Sequence, residues 1–144
     1  MVIEPRRLLG LAEEMATRAR EEDAGHAALA AHAALEETVN HLGGETIGSF
    51  NYRARFLPKW HDLCERAIGR QLEAAPDLER LQALRDAVVG FRGDPERLDR
   101  RSTSPPPEAP RAVGAEEARW AVELARRVVA EFHRAAGQEA PGWV

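Results

Sequence analysis

Residues 115–137, AEEARWAVELARRVVAEFHRAAG, decide the fold class of this chain. Their apolar members recur every three or four positions, which is the spacing of one buried face of an α-helix. These are Ala118, Ala121, Val122, Ala125, Val128, Val129 and Phe132. Acidic residues stand at the start, arginines stand towards the end, and Gly137 follows, as the helix dipole and a glycine stop favour. The stretch predicts a long amphipathic helix that packs against a core.

Four further stretches have the same spacing, and we expect helices over residues 5 to about 22, 24 to about 42, 58 to about 68 and 76 to about 91. Asp23 is expected to cap the second helix, and Gly43-Gly44 to end it. A break this short predicts that the first two helices form an antiparallel hairpin. The predicted fold is therefore all-α, an antiparallel bundle of about five helices.

Length and composition favour one globular domain over residues 1–144. The chain is 44% hydrophobic and 31% charged, which is typical of globular proteins. No apolar run is long enough to cross a bilayer, and the first residues lack the apolar region of a signal peptide. We therefore predict a cytoplasmic protein with no membrane role. Residues 102–110, STSPPPEAP, contain four prolines and predict a flexible loop over about 102–114, before the last helix.

The charge and the cysteine count restrict the partners and the chemistry. The formal net charge is −4, so no overall basic field attracts nucleic acid, and any such contact needs a local patch. The single cysteine, Cys64, excludes an internal disulfide and is predicted to be buried. The pairs His61 with Cys64 and Glu37 with His41 have metal-ligand spacing, but a site needs at least three protein ligands. We predict neither a metal nor a cofactor.

The fourth helix contains the most suggestive group of polar residues. In residues 84–91, LRDAVVGF, Arg85 and Asp86 lie beside an apolar stripe. Further arginines follow at Arg92, Arg97, Arg100 and Arg101. Such a cluster can hold phosphate through bidentate contacts. Acidic residues are interleaved with these arginines, so a solvated, self-neutralising helix end explains the same pattern, and composition alone favours that explanation.

Three stretches of the chain carry a family resemblance. Residues 32–42, HAALEETVNHL, form an alanine-rich helix that ends in an acidic-then-Asn segment, and residues 84–91 contain Arg followed by a polar residue. The third stretch is the last helix with its tail of Gly137, Pro141 and Trp143. Together they resemble the HEPN superfamily of small helical proteins, whose signature is Arg, a polar residue, three more residues and His.

The resemblance implies a homodimer in which the signature residues of two chains meet in a cleft. Arg85 would hold a phosphate, Asp86 would be its polar partner, and a histidine would act on the ribose 2′-OH in metal-independent RNA cleavage. Gly90 occupies the histidine position. Because glycine cannot accept a proton, a contribution of about 10²- to 10⁴-fold to the rate is missing unless another histidine, such as His61 or His41, replaces it.

Three functions follow as hypotheses. The first is a dimeric RNA- or nucleotide-binding protein of toxin–antitoxin or defence type, with an antitoxin or defence protein as partner and with catalysis degenerate. The second is a helical protein–protein interaction module with no nucleic-acid role. The third is a weak metal-independent ribonuclease. Steeply salt-dependent RNA binding would distinguish the first from the second, because phosphate contacts release counterions.

Overall fold

The computed structural model describes residues 4–17, 21–89 and 113–144. These ranges form five helices and contain no strand, which confirms the all-α prediction for this part of the chain. The helices are α1 (Pro5–Thr17), α2 (Glu21–Thr46), α3 (Phe56–Ala67), α4 (Ala75–Val89) and α5 (Ala115–Ala135). The proline-rich residues 102–110 and the predicted helix end at Phe91 lie outside the described residues.

The central element is α2, which contacts each of the other four helices. Its buried surface consists largely of alanine, which lets neighbouring backbones approach closely. The buried alanines are Ala24, Ala27, Ala28, Ala30, Ala31 and Ala34. The first residues of α1 line the same groove as the last turns of α2. The two helices are therefore antiparallel, as their short connection predicts.

The predicted boundary between the first two helices is wrong. Helix α1 ends at Thr17, and α2 begins at Glu21, so Asp23 is the third residue of α2 and not its cap. In this first turn its negative charge complements the positive end of the helix, which explains an acidic residue here without a capping role.

The prediction that Gly43-Gly44 ends the second helix is also wrong, because α2 continues to Thr46. The loop that follows folds back onto the glycines. A Cβ atom at Gly43 would lie 2.5 Å from the Phe50 ring, and one at Gly44 would lie 2.3 Å from the Tyr52 hydroxyl oxygen. The glycines therefore make room for two aromatic rings, and tertiary packing decides where the helix ends.

The remaining helices begin close to the predicted positions. Pro58 lies in the first turn of α3 and Pro76 in the first turn of α4, where a missing N–H costs nothing. Gly137 follows α5 with φ of +71°, a left-handed conformation that favours glycine.

The buried side chains form one continuous hydrophobic core. Trp60 of α3 and Phe132 of α5 meet edge to face with ring centroids 6.2 Å apart. Ion pairs join α5 to its neighbours, from Arg126 to Glu13 of α1 and from Arg127 to Asp77 of α4. No helix in the described part of the chain has the length and apolarity needed to span a membrane.

Candidate functional site

Arg85 and Asp86 lie on a partly exposed face of α4. The Arg85 side chain is 39% exposed and that of Asp86 is 27% exposed, and Arg85 Nη1 lies 3.2 Å from Asp86 Oδ1. This bond uses one of the five N–H donors of a guanidinium. Arg85 is therefore held by its neighbour while part of its surface faces solvent.

Asp86 is in turn fixed from inside the bundle. Gln82 Nε2 donates to Asp86 Oδ1 over 2.9 Å, so the amide oxygen of Gln82 points the other way, towards α2. There it lies 2.8 Å from Nε2 of His32. Because an amide oxygen can only accept, His32 Nε2 must carry the proton. A buried histidine therefore orients Gln82, and Gln82 orients Asp86.

His32 occupies a closed position between α2, α3 and α4. Its ring is buried and packs on Phe56 of α3 with centroids 4.3 Å apart. Burial lowers the pKa of His32, because a charged ring would lose its hydration, and the hydrogen bond to Gln82 opposes this only in part. The neutral ring is thus favoured in the folded protein.

The polar contacts continue along α2 to α3. Lys59 is only 2% exposed, and its Nζ donates to Asn40 Oδ1 over 2.8 Å and to Glu36 Oε1 over 3.3 Å. Glu36 Oε2 lies 4.0 Å from Nδ1 of His32, which brings the two sets of contacts together. We call the whole group the polar network. It comprises His32, Glu36, Asn40, Lys59, Gln82, Arg85 and Asp86.

Sequence reasoning found only Arg85 and Asp86 of this network. A signal was present, because His32, Glu36 and Asn40 recur every four residues and so share one face of α2. This is a polar stripe on a helix that is otherwise rich in alanine. Their partners could not be identified in the same way, since Gln82 is 50 positions from His32.

The other predicted site residues are not part of the network. Gly90 and the four predicted phosphate contacts of the following segment lie outside the described residues. These contacts are Arg92, Arg97, Arg100 and Arg101. His41 is exposed and pairs with Glu45 over 3.2 Å, about 14 Å along α2 from His32 at 1.5 Å per residue. His61 uses its backbone carbonyl to accept from Gln71. His32, in contrast, is linked to Arg85 through Gln82 and Asp86.

The described residues contain no group of three or more His, Cys, Asp or Glu side chains that could hold a metal ion. Cys64 is buried as predicted, and this burial raises the pKa of its thiol to about 11. A thiol of this kind remains protonated at neutral pH and is a poor nucleophile.

The bundle also has two concavities, and Asn40 of the polar network lines the larger one. The larger, about 1090 Å³, lies between the start of α1, the end of α2, Tyr52 and the C-terminal tail, and we call it the tail groove. The smaller, about 440 Å³, lies between α4 and α5, where the Arg80 guanidinium stacks 4.5 Å from the centre of the Trp120 ring. Neither is lined by Arg85.

Comparison of the chain with family models, with curated proteins and with solved structures gives no match. The chemistry that the site can perform therefore follows from its own geometry. That geometry provides a partly exposed guanidinium in a fixed orientation, supported by a buried neutral imidazole.

Proposed function

We propose that the protein is a homodimeric RNA- or nucleotide-binding domain of HEPN type, with a phosphate site formed around Arg85 of two subunits and with ribonuclease activity lost or weak. The setting that goes with this proposal is cytoplasmic, in a toxin–antitoxin or defence system with a protein partner from that system. The observation that supports it best is the orientation of the Arg85 guanidinium by Asp86, Gln82 and His32.

A preset guanidinium suits phosphate binding. A flexible arginine loses side-chain entropy when it orders on a ligand, whereas one already held by a carboxylate loses less. The geometry of the guanidinium also matches two phosphate oxygens at once. Each subunit offers one such group outside the two concavities, and two copies across a two-fold axis would double the charge facing a shared ligand.

The surroundings of His32 support the loss of catalysis. A general base must come within hydrogen-bond reach of the proton that it removes. His32 is buried, and its Nε2 already donates to Gln82. It therefore supports Arg85 from inside and is closed off from a ribose hydroxyl, so it does not replace the missing histidine at Gly90.

One observation favours the second function, a protein interaction module. The tail groove is a concave surface whose lining is distinct from Arg85 and Asp86. The two functions therefore involve different faces, and variants can test them separately.

The phosphate site is tested by the salt dependence of binding to a fluorescein-labelled single-stranded RNA. Each phosphate contact on a single strand contributes about 0.7 to the slope of log affinity against log salt. The Arg85→Ala variant removes two contacts from each dimer, so we expect the slope to fall by about 1.4. Arg80→Ala is the matched control, since it removes the same charge from the same helix.

An equal effect of Arg80→Ala and Arg85→Ala would contradict a site at Arg85, and absent or salt-independent binding would favour the interaction module. The proposed loss of ribonuclease activity is tested with radiolabelled RNA. We expect no or weak cleavage by the natural protein and increased cleavage by Gly90→His. Strong cleavage by the natural protein that Arg85→Ala abolishes would show that catalysis has not been lost.

A further inference from the structure

The dimensions of the tail groove suit an extended chain better than a compact ligand. Its volume, about 1090 Å³, is at the upper end of the range of about 300–1,000 Å³ typical of small-molecule pockets. One wall is α2 from Glu37 to Glu45, nine residues that rise about 12 Å along the helix axis. An extended peptide covers that distance with about four residues.

The charges on the lining favour a cationic ligand. The lining contains three carboxylates, those of Glu4, Glu37 and Glu45, and one guanidinium, that of Arg6. Glu45 pairs with His41 in the same groove. Glu37, which is partly buried, has no basic partner among the described side chains. A basic ligand would therefore neutralise charge that the groove itself leaves uncompensated.

A buried histidine in the lining provides a hydrogen-bond acceptor. His133 of α5 is 9% exposed, and its Nδ1 lies 2.8 Å from the backbone oxygen of Val129. Because that carbonyl can only accept, Nδ1 carries the proton. In the neutral ring Nε2 is then the acceptor, on a side chain that lines the groove. An acceptor here suits an N–H donor from a ligand.

Aromatic side chains complete the lining. Tyr52 is exposed and is fixed edge to face against Phe50, with ring centroids 5.4 Å apart, and its hydroxyl lies beside Gly44. Trp143 of the C-terminal tail packs partly against the core and lines the same groove. Aromatic faces attract guanidinium and ammonium groups.

From the charge, the acceptor, the aromatic rings and the length of the groove, we propose that the tail groove binds a short extended segment of a partner protein that contains arginine or lysine next to apolar residues. The cationic side chains meet Glu37 and Glu45, and the apolar side chains pack against Tyr52 and Trp143. This site is separate from the phosphate site proposed at Arg85, and it does not depend on that proposal.

Nuclear magnetic resonance tests this directly, because the chain contains three tryptophans in different surroundings. Trp143 lines the groove, Trp60 is in the core and Trp120 stacks with Arg80. The ¹⁵N-labelled protein is titrated with a capped hexapeptide of alternating leucine and arginine. We expect the indole N–H signal of Trp143 to shift, while those of Trp60 and Trp120 stay in place. A hexapeptide with glutamate in place of arginine should cause no shift.

Variants assign the binding to the groove. We expect the double variant Glu37→Gln with Glu45→Gln to raise the dissociation constant of the arginine peptide about fivefold, from the loss of two ion pairs with the peptide. Glu79→Gln with Glu123→Gln makes the same change of net charge at exposed positions outside the groove, and it should leave the dissociation constant unchanged. Tyr52→Ala, at an exposed position, should weaken binding about threefold.

Three outcomes of the measurements above would overturn the proposal, and a comparison with spermidine provides a fourth. The three are an indole signal of Trp143 that does not shift, equal shifts with the arginine and glutamate peptides, and an equal rise of the dissociation constant in the two double variants. Spermidine tests whether the groove binds a free polyamine instead of a peptide, because it has cationic groups without apolar side chains. If spermidine binds as tightly as the peptide, the groove is a small-amine site and a peptide partner is excluded.

Discussion

Lys59, the single lysine of the chain, keeps its ammonium group inside the bundle, where it bonds to Asn40 and Glu36. A buried charge loses its hydration, and its partners must compensate for that loss. Replacing such a group by an apolar one of similar shape is often neutral, whereas removing only its partner is destabilising. Substitutions at Lys59 and at its partner Glu36 therefore test whether these contacts stabilise the fold.

We expect Lys59→Met to change the free energy of unfolding by less than about 1 kcal/mol, because methionine fills the same space and the two partners are partly exposed to water. Glu36→Gln should cost more, about 1–2 kcal/mol, since it leaves the buried ammonium with neutral partners only. Urea denaturation measures both, with Glu37→Gln as the neighbouring control. A greater loss from Lys59→Met than from Glu36→Gln would mean that the ion pair itself stabilises the fold.

His32 makes stability depend on pH in a defined direction. Burial lowers its folded-state pKa below the ordinary value of 6.5, so the unfolded chain takes up a proton at a higher pH than the folded one. The contribution of His32 is complete above about pH 6.5 and is lost as the pH falls from there through the lowered pKa.

Urea denaturation at about pH 7.5 and about pH 5.5 measures this contribution. We expect the natural protein to lose stability at the lower pH, and His32→Gln to lose less. His41→Gln removes an exposed histidine and should behave like the natural protein. The same loss in all three proteins would exclude His32 as the titrating group.

At the scale of the elements, two of the three glycines of α2 differ in the space beside them. A Cβ at Gly25 would meet only Val88 at 3.7 Å, an ordinary contact, whereas one at Gly43 would overlap the Phe50 ring. Alanine in a helix is more stable than glycine by up to about 1 kcal/mol when space allows. Whether a change from glycine to alanine stabilises or destabilises the protein therefore depends on which atoms lie beside the glycine.

We expect Gly25→Ala to stabilise the protein by about 0.5–1 kcal/mol and Gly43→Ala to destabilise it by about 1–3 kcal/mol, because Phe50 must move. Thermal and urea denaturation of the two variants measure this difference on one helix. Stabilisation by Gly43→Ala would indicate that the glycines act only as helix breakers.

The same helix shows how far sequence predicts this fold. Apolar spacing identifies every helix of the described residues, because the burial of one face leaves a local pattern in the sequence. The predicted end at Gly43 fails, because the space that these glycines provide is used by Phe50, which no local pattern reveals. The site residues show the same difference between local pattern and tertiary packing. Arg85 and Asp86 are found from a short motif, whereas Gln82 and His32 meet only through the packing of α4 on α2.

At the scale of the whole molecule, the proposed dimer makes a geometric prediction. Arg85 of each subunit faces the two-fold axis in this proposal, and Val89 lies one turn further along the same face of α4. Val89 is 44% exposed, and Leu11 of α1 is 42% exposed. The two positions are matched in chemistry and exposure, but only Val89 lies beside Arg85.

We expect a bismaleimide to join Val89→Cys subunits into a covalent dimer, and Leu11→Cys subunits to remain monomeric. The natural Cys64 contributes little background, because it is buried and its thiol pKa is raised to about 11. Light scattering establishes the oligomeric state of the unmodified protein. A monomer by scattering, or equal cross-linking of the two variants, would contradict the dimer.

Because α2 contacts each of the other four helices in the described part of the chain, the loss of any one of them uncovers part of α2, and its middle is the best protected part of the bundle. Amide protons near Ala31 and Leu35 should therefore exchange with deuterium only when the entire bundle opens. Their exchange rate then reports the free energy of global unfolding in plain buffer, without any denaturant.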